Sequence, residues 1–225
     1  MSRSEREVSL NFVAHISAGA RRLRNTRSDG FLAGCALPDF AAMARLRLSR
    51  SGGDVGLGIA FHQNCDSAFH GLPWFRDHCQ DLYTLLRDNG LQKGPARACS
   101  HAGVELLIDG ALMSEHETQI AVRRVLRFIS VCPAEIVDTV PVDSKERWQA
   151  HLEDLGGSFD PARYQDPAFA ASRLMRATAE RPALSFDESH VDAVAAALAM
   201  ISVRVTNGAN TVVHQVLDAC DTNGR

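Results

Sequence analysis

Apolar residues recur at three- and four-residue spacing along most of this chain, which is the period of an amphipathic helix. The stripe of Val8, Phe12, Val13 and Ile16 is the first example, and a long amphipathic stretch runs from Pro95 to about residue 113. No long segment alternates apolar with polar residues, and aromatic residues make up only 6% of the chain, so strand signals are weak. The pattern predicts an all-α fold.

Residues that begin or interrupt helices divide the chain into segments. Ser28 is a good N-cap for a short helix that we expect to stop at Pro38. Asp54 is expected to cap the next helix, and the pairs Gly156-Gly157 and Asn207-Gly208 suggest an end and a break further along. No repeat or low-complexity tract separates one part from another. We therefore expect residues 1–225 to form a single-domain helical bundle.

Composition narrows the classes of function. The 225 residues carry a net charge of −3, which argues against a nucleic-acid-binding face. The first residues lack the apolar core of a signal peptide, and no run approaches the roughly 18 apolar residues of a membrane span. The six cysteines are scattered without a C-x-x-C pair, as in reduced thiols. A cytoplasmic protein that binds neither nucleic acid nor membrane is expected.

His62 and Asp66 are the most informative polar pair. Four residues apart on a predicted helix, they project from the same face, one turn apart. An imidazole beside a carboxylate is half of a divalent-metal site, or a histidine held in one tautomer by an acid. Such pairs also occur on solvated helix faces, so the pair alone leaves both interpretations open.

Further metal-type ligands lie in apolar surroundings. His15 follows Phe12-Val13-Ala14, and Asp39 follows Leu37-Pro38. His101, Glu105 and Asp109 repeat every four residues, with aliphatic side chains between them. Burying such carboxylates unpaired would cost several kcal/mol, which favours a cation or a hydrogen-bonded partner. Each residue also has an interpretation without a metal ion. His15 could be an ordinary core histidine, Asp39 could cap the following turn, and Glu105 and Asp109 could lie on the solvent-exposed face of an amphipathic helix. Spacing alone indicates a His/carboxylate metal centre as one interpretation.

Several short segments, in this order, resemble motifs of the acyl carrier protein phosphodiesterase (ACP hydrolase) family, which belongs with the HD-domain-like metallohydrolases. The family motifs are Asn-Phe-Leu-Ala-His, Gly-Asn-Leu-Leu-Pro-Asp-Phe, Gly-Ile-x-x-His-Arg-Arg-Ile-Asp and Asp-x-x-x-Asp-His-x-Leu. The matching segments are Asn11-Phe12-Val13-Ala14-His15, Gly34-Cys35-Ala36-Leu37-Pro38-Asp39-Phe40, Gly58-Ile59-Ala60-Phe61-His62-Gln63-Asn64-Cys65-Asp66 and Glu105-Leu106-Leu107-Ile108-Asp109-Gly110-Ala111-Leu112. The resemblance covers the first half of the chain, and the second half adds little.

The resemblance implies an HD-domain-like helical fold and a hydrolase that acts on phosphoric diester bonds. In that family the enzyme releases 4′-phosphopantetheine from holo acyl carrier protein, a partner in fatty acid biosynthesis, with Mn²⁺ as cofactor; Mg²⁺ and Fe²⁺ are the alternatives. Metal-activated water is the implied nucleophile. The implied metal ligands are His15, Asp39, His62, Asp66 and Asp109. The implied catalytic residues are Asp66, Glu105 and His70.

The chain departs from the family at several of these positions. Gln63 and Asn64 replace two arginines, and Arg is the natural bidentate partner of phosphate. Ser17 and Gly110 replace histidines, while His70 replaces an aspartate two helical turns beyond His62. These changes indicate a divergent member, whose recognition of a phosphodiester or an acidic carrier is weakened.

Three alternatives to carrier-protein hydrolysis therefore stay open. In the first, the chain acts on another phosphorylated substrate. In the second, it is a non-catalytic helical protein that binds a carrier protein or nucleotide. In the third, its metal is iron and serves oxygen chemistry. An acidic partner would need cationic side chains on the surface of this protein. Several arginines could serve, although they could equally belong to an ordinary solvated face. The candidates are Arg21, Arg22, Arg24, Arg45 and Arg47. The oligomeric state is not predicted.

Overall fold

The computed structural model describes residues 12–22, 28–49, 51–158 and 160–222. Within these ranges the chain forms ten α-helices and three 3₁₀ turns and contains no strand, so the all-α prediction is confirmed. The helices are α1 (Phe12–Arg22), α2 (Asp29–Met43), α3 (Gly53–Gly71), α4 (Pro73–Asp88), α5 (Lys93–Leu112), α6 (His116–Ser130), α7 (Ala134–Val137), α8 (Lys145–Ser158), α9 (Pro167–Thr178) and α10 (Val191–Thr222). The 3₁₀ turns are Val142–Ser144, Pro161–Gln165 and Glu188–His190. Val8, Asn11 and Arg24 lie outside the described residues.

Helix α5 is the centre of the bundle. It packs against α1, α4, α9 and α10, and it is buried on nearly every side. A helix with apolar residues all round is expected in such a position. This one also takes two carboxylates, Glu105 and Asp109, into the core, where both are 0% exposed. The two acids therefore need partners inside the protein.

Two glycines allow α2 and α3 to cross at close range. A Cβ atom on Gly58 would lie 2.2 Å from the carbonyl oxygen of Phe31 and 2.8 Å from the Cα of Gly34. A Cβ on Gly34 would lie 2.4 Å from the carbonyl oxygen of Val55. Neither contact can be relieved by a side-chain rotation, because the opposing atoms belong to the backbone. The crossing sets the position of α3, which carries His62 one turn further along.

Gly58→Ala is expected to lower the free energy of unfolding by about 1–3 kcal/mol, since overpacking forces the backbone to shift. Gly71→Ala, at the end of the same helix, is the matched control. A Cβ there meets nothing within 4 Å, so the variant should be neutral or gain about 0.5–1 kcal/mol from the reduced chain entropy. Urea unfolding of both variants measures the difference. Equal stability of the two would contradict the close crossing.

Helix α2 begins where the sequence predicts, but the predicted stop at Pro38 is wrong. Ser28 caps the helix, because its hydroxyl oxygen accepts a hydrogen bond from the N–H of Phe31. The helix then continues through Pro38 to Met43. An internal proline costs a backbone hydrogen bond and crowds the preceding turn. Nearly all of α2 is buried, and this tertiary packing outweighs the local cost.

Three other expected boundaries also differ. Gly52, rather than Asp54, is the N-cap of α3, and Asp54 lies in the first turn. Helix α8 continues through Gly156, where a Cβ would lie 2.5 Å from the Cβ of Ser130. Helix α10 runs without a break past Gly208, where a Cβ would lie 2.7 Å from the Trp74 indole ring. These glycines serve close packing, which a sequence pattern does not distinguish from a helix end.

Helix α10 also has a length and composition compatible with a membrane span. Within the described residues, the segment Glu188–Cys220 is the one helix that meets both criteria. Core helices of soluble proteins meet the same criteria, so this match carries little weight. Here one face of α10 packs against α9, α5 and α4, where Val194, Leu198 and Ile201 are buried, and 28% of the apolar window is buried in all. The absence of a membrane span and the cytoplasmic location stay predictions.

Candidate metal centre

Helices α1 and α3 bring His15, His62 and Asp66 together as a first triad. One ligand atom from each lies within 4.8 Å of the other two. The His15 and His62 rings are 3.9 Å apart between centroids, and His15 Nε2 lies 3.9 Å from Asp66 Oδ1. Both histidines are buried, whereas the Asp66 side chain is 38% exposed. The triad is thus buried on its histidine side and reached by solvent at Asp66.

The tautomer of His62 is set by the backbone. Its Nδ1 lies 2.8 Å from the carbonyl oxygen of Cys35, and a carbonyl can only accept a hydrogen bond. In the neutral form of the ring, Nδ1 therefore carries the proton and the lone pair lies on Nε2. Metal-binding histidines are commonly held in this way by a partner on the other nitrogen. Asp39 lies on the Nδ1 side of the ring, with Oδ2 3.9 Å from Nδ1, and is not one of the three convergent residues.

The buried His15 side chain has the neutral imidazole that a metal ion would need as a ligand. Burial lowers the pKa of His15 well below its usual value, and the neighbouring His62 lowers it further. Among the described residues no hydrogen-bond partner reaches its buried Nε2. A buried polar ring nitrogen without a hydrogen-bond partner is costly. A divalent cation between His15, His62 and Asp66 would satisfy it, so these residues fit a metal ion.

Helices α3 and α5 form a second triad from His70, His101 and Glu105. The Nε2 atoms of the two histidines are 3.1 Å apart, and each lies 3.2 Å from Glu105 Oε1. The imidazole rings stack with centroids 4.8 Å apart. Side-chain exposure is 28% for His70 and 15% for His101, against 1% for Glu105. The described residues thus contain two His/carboxylate groups that could hold a divalent metal ion.

Asp66 and His70 connect the two triads. Asp66 Oδ1 lies 3.4 Å from His70 Nδ1, while His70 Nε2 faces Glu105. Burial disfavours a charged ring, but hydrogen bonds to the two carboxylates raise the pKa of His70 to about 10. Burial alone would raise the pKa of Glu105, because it disfavours the charged carboxylate. The hydrogen bonds that Glu105 accepts from His101 and His70 outweigh burial and bring that pKa below its usual value. Without a metal ion, His70 is thus a cation held between Asp66 of the first triad and Glu105 of the second.

Both carboxylate oxygens of Asp109 are engaged by the backbone at the start of α1. Its Oδ2 accepts a hydrogen bond from the N–H of Val13 at 3.2 Å, and its Oδ1 accepts one from Ala14 at 2.9 Å. These donors are the second and third residues of α1, whose N–H groups have no partner within the helix. Burial raises the pKa of Asp109 well above its usual value, and the nearby carboxylates of Asp39 and Glu105 raise it further. Asp109 fixes α1, and with it His15, against α5.

The structure therefore divides the residues singled out in the sequence. His15, His62 and Asp66 converge in the first triad, and Glu105 and His70 belong to the second, while Asp39 and Asp109 border the first triad without converging on it. The spacing in the sequence singles out His101 as a metal-type ligand, but the motif resemblance assigns it no role. Its signal was present, because it lies one turn before Glu105 on the same helix face, but only the fold shows that His70 lies opposite.

The positions at which the chain departs from the resembling motifs lie in different surroundings. Gln63 and Asn64 are exposed on the outer face of α3. Ser17 is buried and hydrogen-bonded to the Thr118 hydroxyl at 3.0 Å. At Gly110 a Cβ would lie 2.7 Å from the backbone of the turn Pro161–Gln165, so a histidine has no room there.

The arginines considered for an acidic partner differ in their surroundings. Arg21 forms an ion pair with Glu115 and a hydrogen bond with Asn210. Arg45 pairs with Glu180, the Arg22 guanidinium lies 5.3 Å from the centroid of the Phe61 ring, and Arg47 is exposed. Two of these side chains are thus already engaged with acids of this chain.

Comparison with known proteins adds no relative. No family model, curated protein or solved structure matches the chain significantly. The all-α fold and the two triads therefore stand on the structure alone.

Proposed function

We propose that this chain is a metal-dependent phosphodiester hydrolase, with holo acyl carrier protein as its leading substrate and release of 4′-phosphopantetheine as its reaction. The observation that carries the proposal is the convergence of His15, His62 and Asp66 around the buried, unpartnered Nε2 of His15. The motif resemblance described above supplies the reaction class. The proposed ion is Mn²⁺, with Mg²⁺ and Fe²⁺ as alternatives.

The proposed roles follow from where each side chain lies. His15, His62 and Asp66 would hold the ion, which when bound polarises a phosphoryl oxygen and lowers the pKa of water. Asp66 is the triad member that solvent reaches, so it is the group available to accept a proton from an attacking water. Glu105 is fully buried behind His70 and His101, and we assign it to positioning rather than to direct contact with a substrate.

Hydrolysis of holo acyl carrier protein tests this proposal. Protein freed of metal by chelation, then reloaded with Mn²⁺, should convert holo-carrier to apo-carrier with release of 4′-phosphopantetheine, detected by mass spectrometry. Protein kept metal-free is the control and should leave the holo-carrier intact. If Mn²⁺ is bound but neither holo-carrier nor bis(p-nitrophenyl) phosphate is cleaved, the enzymatic proposal fails and a non-catalytic binding protein is the better interpretation.

One observation favours a second candidate, a hydrolase that acts on a different phosphorylated substrate. Gln63 and Asn64 stand on the exposed face of α3 where the family has arginines, so these positions offer no cation to a phosphate or an acidic carrier. Hydrogen bonds to charged groups contribute about 1.5–3 kcal/mol each. Efficient cleavage of bis(p-nitrophenyl) phosphate together with no cleavage of holo-carrier would support this candidate.

A further inference from the structure

We infer that His70, His101 and Glu105 form a Zn²⁺ site of their own, separate from the ion held by the first triad. The three ligand atoms are His70 Nε2, His101 Nε2 and Glu105 Oε1, separated by 3.1, 3.2 and 3.2 Å. Zn²⁺ binds such atoms at about 2.0–2.1 Å in tetrahedral geometry, which puts neighbouring ligands about 3.3 Å apart. The triangle already has nearly these dimensions.

The composition of the second triad is that of a catalytic rather than a structural zinc site. Two histidines and one glutamate supply three ligands and leave a fourth position for water or a substrate oxygen. His70 and His101 are partly exposed, so an ion can enter from solvent, while Glu105 anchors the site in the core. Buried Glu105 Oε2 has no hydrogen-bond partner among the described residues, and a cation would compensate its charge.

The side chains around the triad hold its ligands in place. The Phe75 ring meets His101 edge-on with centroids 5.1 Å apart, and it meets His70 at 5.2 Å. Asp66 lies 3.4 Å from His70 Nδ1, the nitrogen that points away from the triad. A carboxylate on the far nitrogen of a metal-binding histidine fixes its orientation and increases its basicity. Asp66 thus belongs to the first triad as a ligand and serves the second as a positioning residue.

Metal stoichiometry tests this inference without reference to activity. Metal-stripped wild-type protein, titrated with Zn²⁺ and desalted, should retain two ions per chain by mass spectrometry of the metal. His101→Gln should retain one, and so should His62→Gln. His78→Gln is the matched control: His78 lies on α4, bonded through Nδ1 to the Trp74 carbonyl, and its loss should leave two ions bound.

Co²⁺ substitution gives a second readout, since four-coordinate Co²⁺ absorbs strongly in the visible range. That absorption should be lower in His101→Gln than in the wild type and unchanged in His78→Gln. If His101→Gln does not fold, Glu105→Gln provides the same loss of a ligand with volume conserved. Full stoichiometry and unchanged Co²⁺ absorption in a folded His101→Gln or Glu105→Gln protein would overturn the second site. That result would not bear on the metal site at the first triad or on the proposed hydrolysis. If His62→Gln were the only variant to lose an ion, the first triad would be supported as a metal site and the second would not.

Discussion

Asp66→Asn is expected to reduce the proposed phosphodiester hydrolysis at least about 100-fold. The amide has nearly the same shape as the carboxylate but lacks the charge that draws a cation to His15 and His62. Several kcal/mol of transition-state stabilisation depends on such an ion, and each 1.4 kcal/mol is a factor of ten in rate. Steady-state hydrolysis of holo-carrier, with metal content measured on the same sample, tests this expectation.

The Asp66→Asn variant should also bind metal less tightly at the second triad, because Asp66 lies beside His70 Nδ1. Loss of an outer partner of a metal-binding histidine typically costs 10–100-fold in metal affinity. Asp77→Asn is the control, since Asp77 is an exposed acid on α4. It removes the same charge and should change neither hydrolysis nor metal content. Normal activity and full metal content in Asp66→Asn would remove Asp66 from the site.

Asp109→Ala is expected to lower the free energy of unfolding by about 3–5 kcal/mol. It leaves the buried N–H group of Val13 and the partly buried N–H group of Ala14 without an acceptor, and each such loss costs about 1–3 kcal/mol. For a chain of 225 residues this corresponds to a fall in Tm of roughly 10 °C, at about 2–4 °C per kcal/mol. Denaturant unfolding followed by circular dichroism measures the change.

Asp109→Asn separates the structural role from a role as a ligand. Burial and the adjacent acids already favour the neutral form of Asp109, and the amide keeps one acceptor oxygen, so the loss of stability should be much smaller than for alanine. Metal content at both triads should be unchanged. If Asp109→Asn is stable but binds less metal, Asp109 is a ligand, as the motif resemblance implies, and its contacts with α1 are secondary.

Helix positions were largely readable from the sequence, because helix formation depends on local spacing and on caps. Ser28, for example, caps α2 as the sequence predicts. The errors at Pro38 and Gly208 have a common origin. Each residue has a local tendency to end a helix, and in each case tertiary packing outweighs it.

The candidate site was only partly readable. The i, i+4 spacing of His62 with Asp66 and of His101 with Glu105 places each pair on one helix face, since both members belong to the same helix. That much follows from sequence. Which pair faces which partner depends on how the helices cross, and residues from different helices carry no mutual signal in a single sequence. The separation of the two triads, with Asp66 and His70 between them, is therefore a property of the folded chain.

The sequence by itself determined that the chain is helical and that histidines and carboxylates lie among apolar residues, because both features follow from short-range periodicity. The tertiary structure decided the use of each acid. Asp109 accepts backbone hydrogen bonds from α1, whereas Glu105, one turn earlier on the same helix, faces two imidazoles. The two carboxylates have nearly the same local sequence context. They differ because α1 packs against one turn of α5, whereas the His70 side chain, from the end of α3, reaches the turn before it.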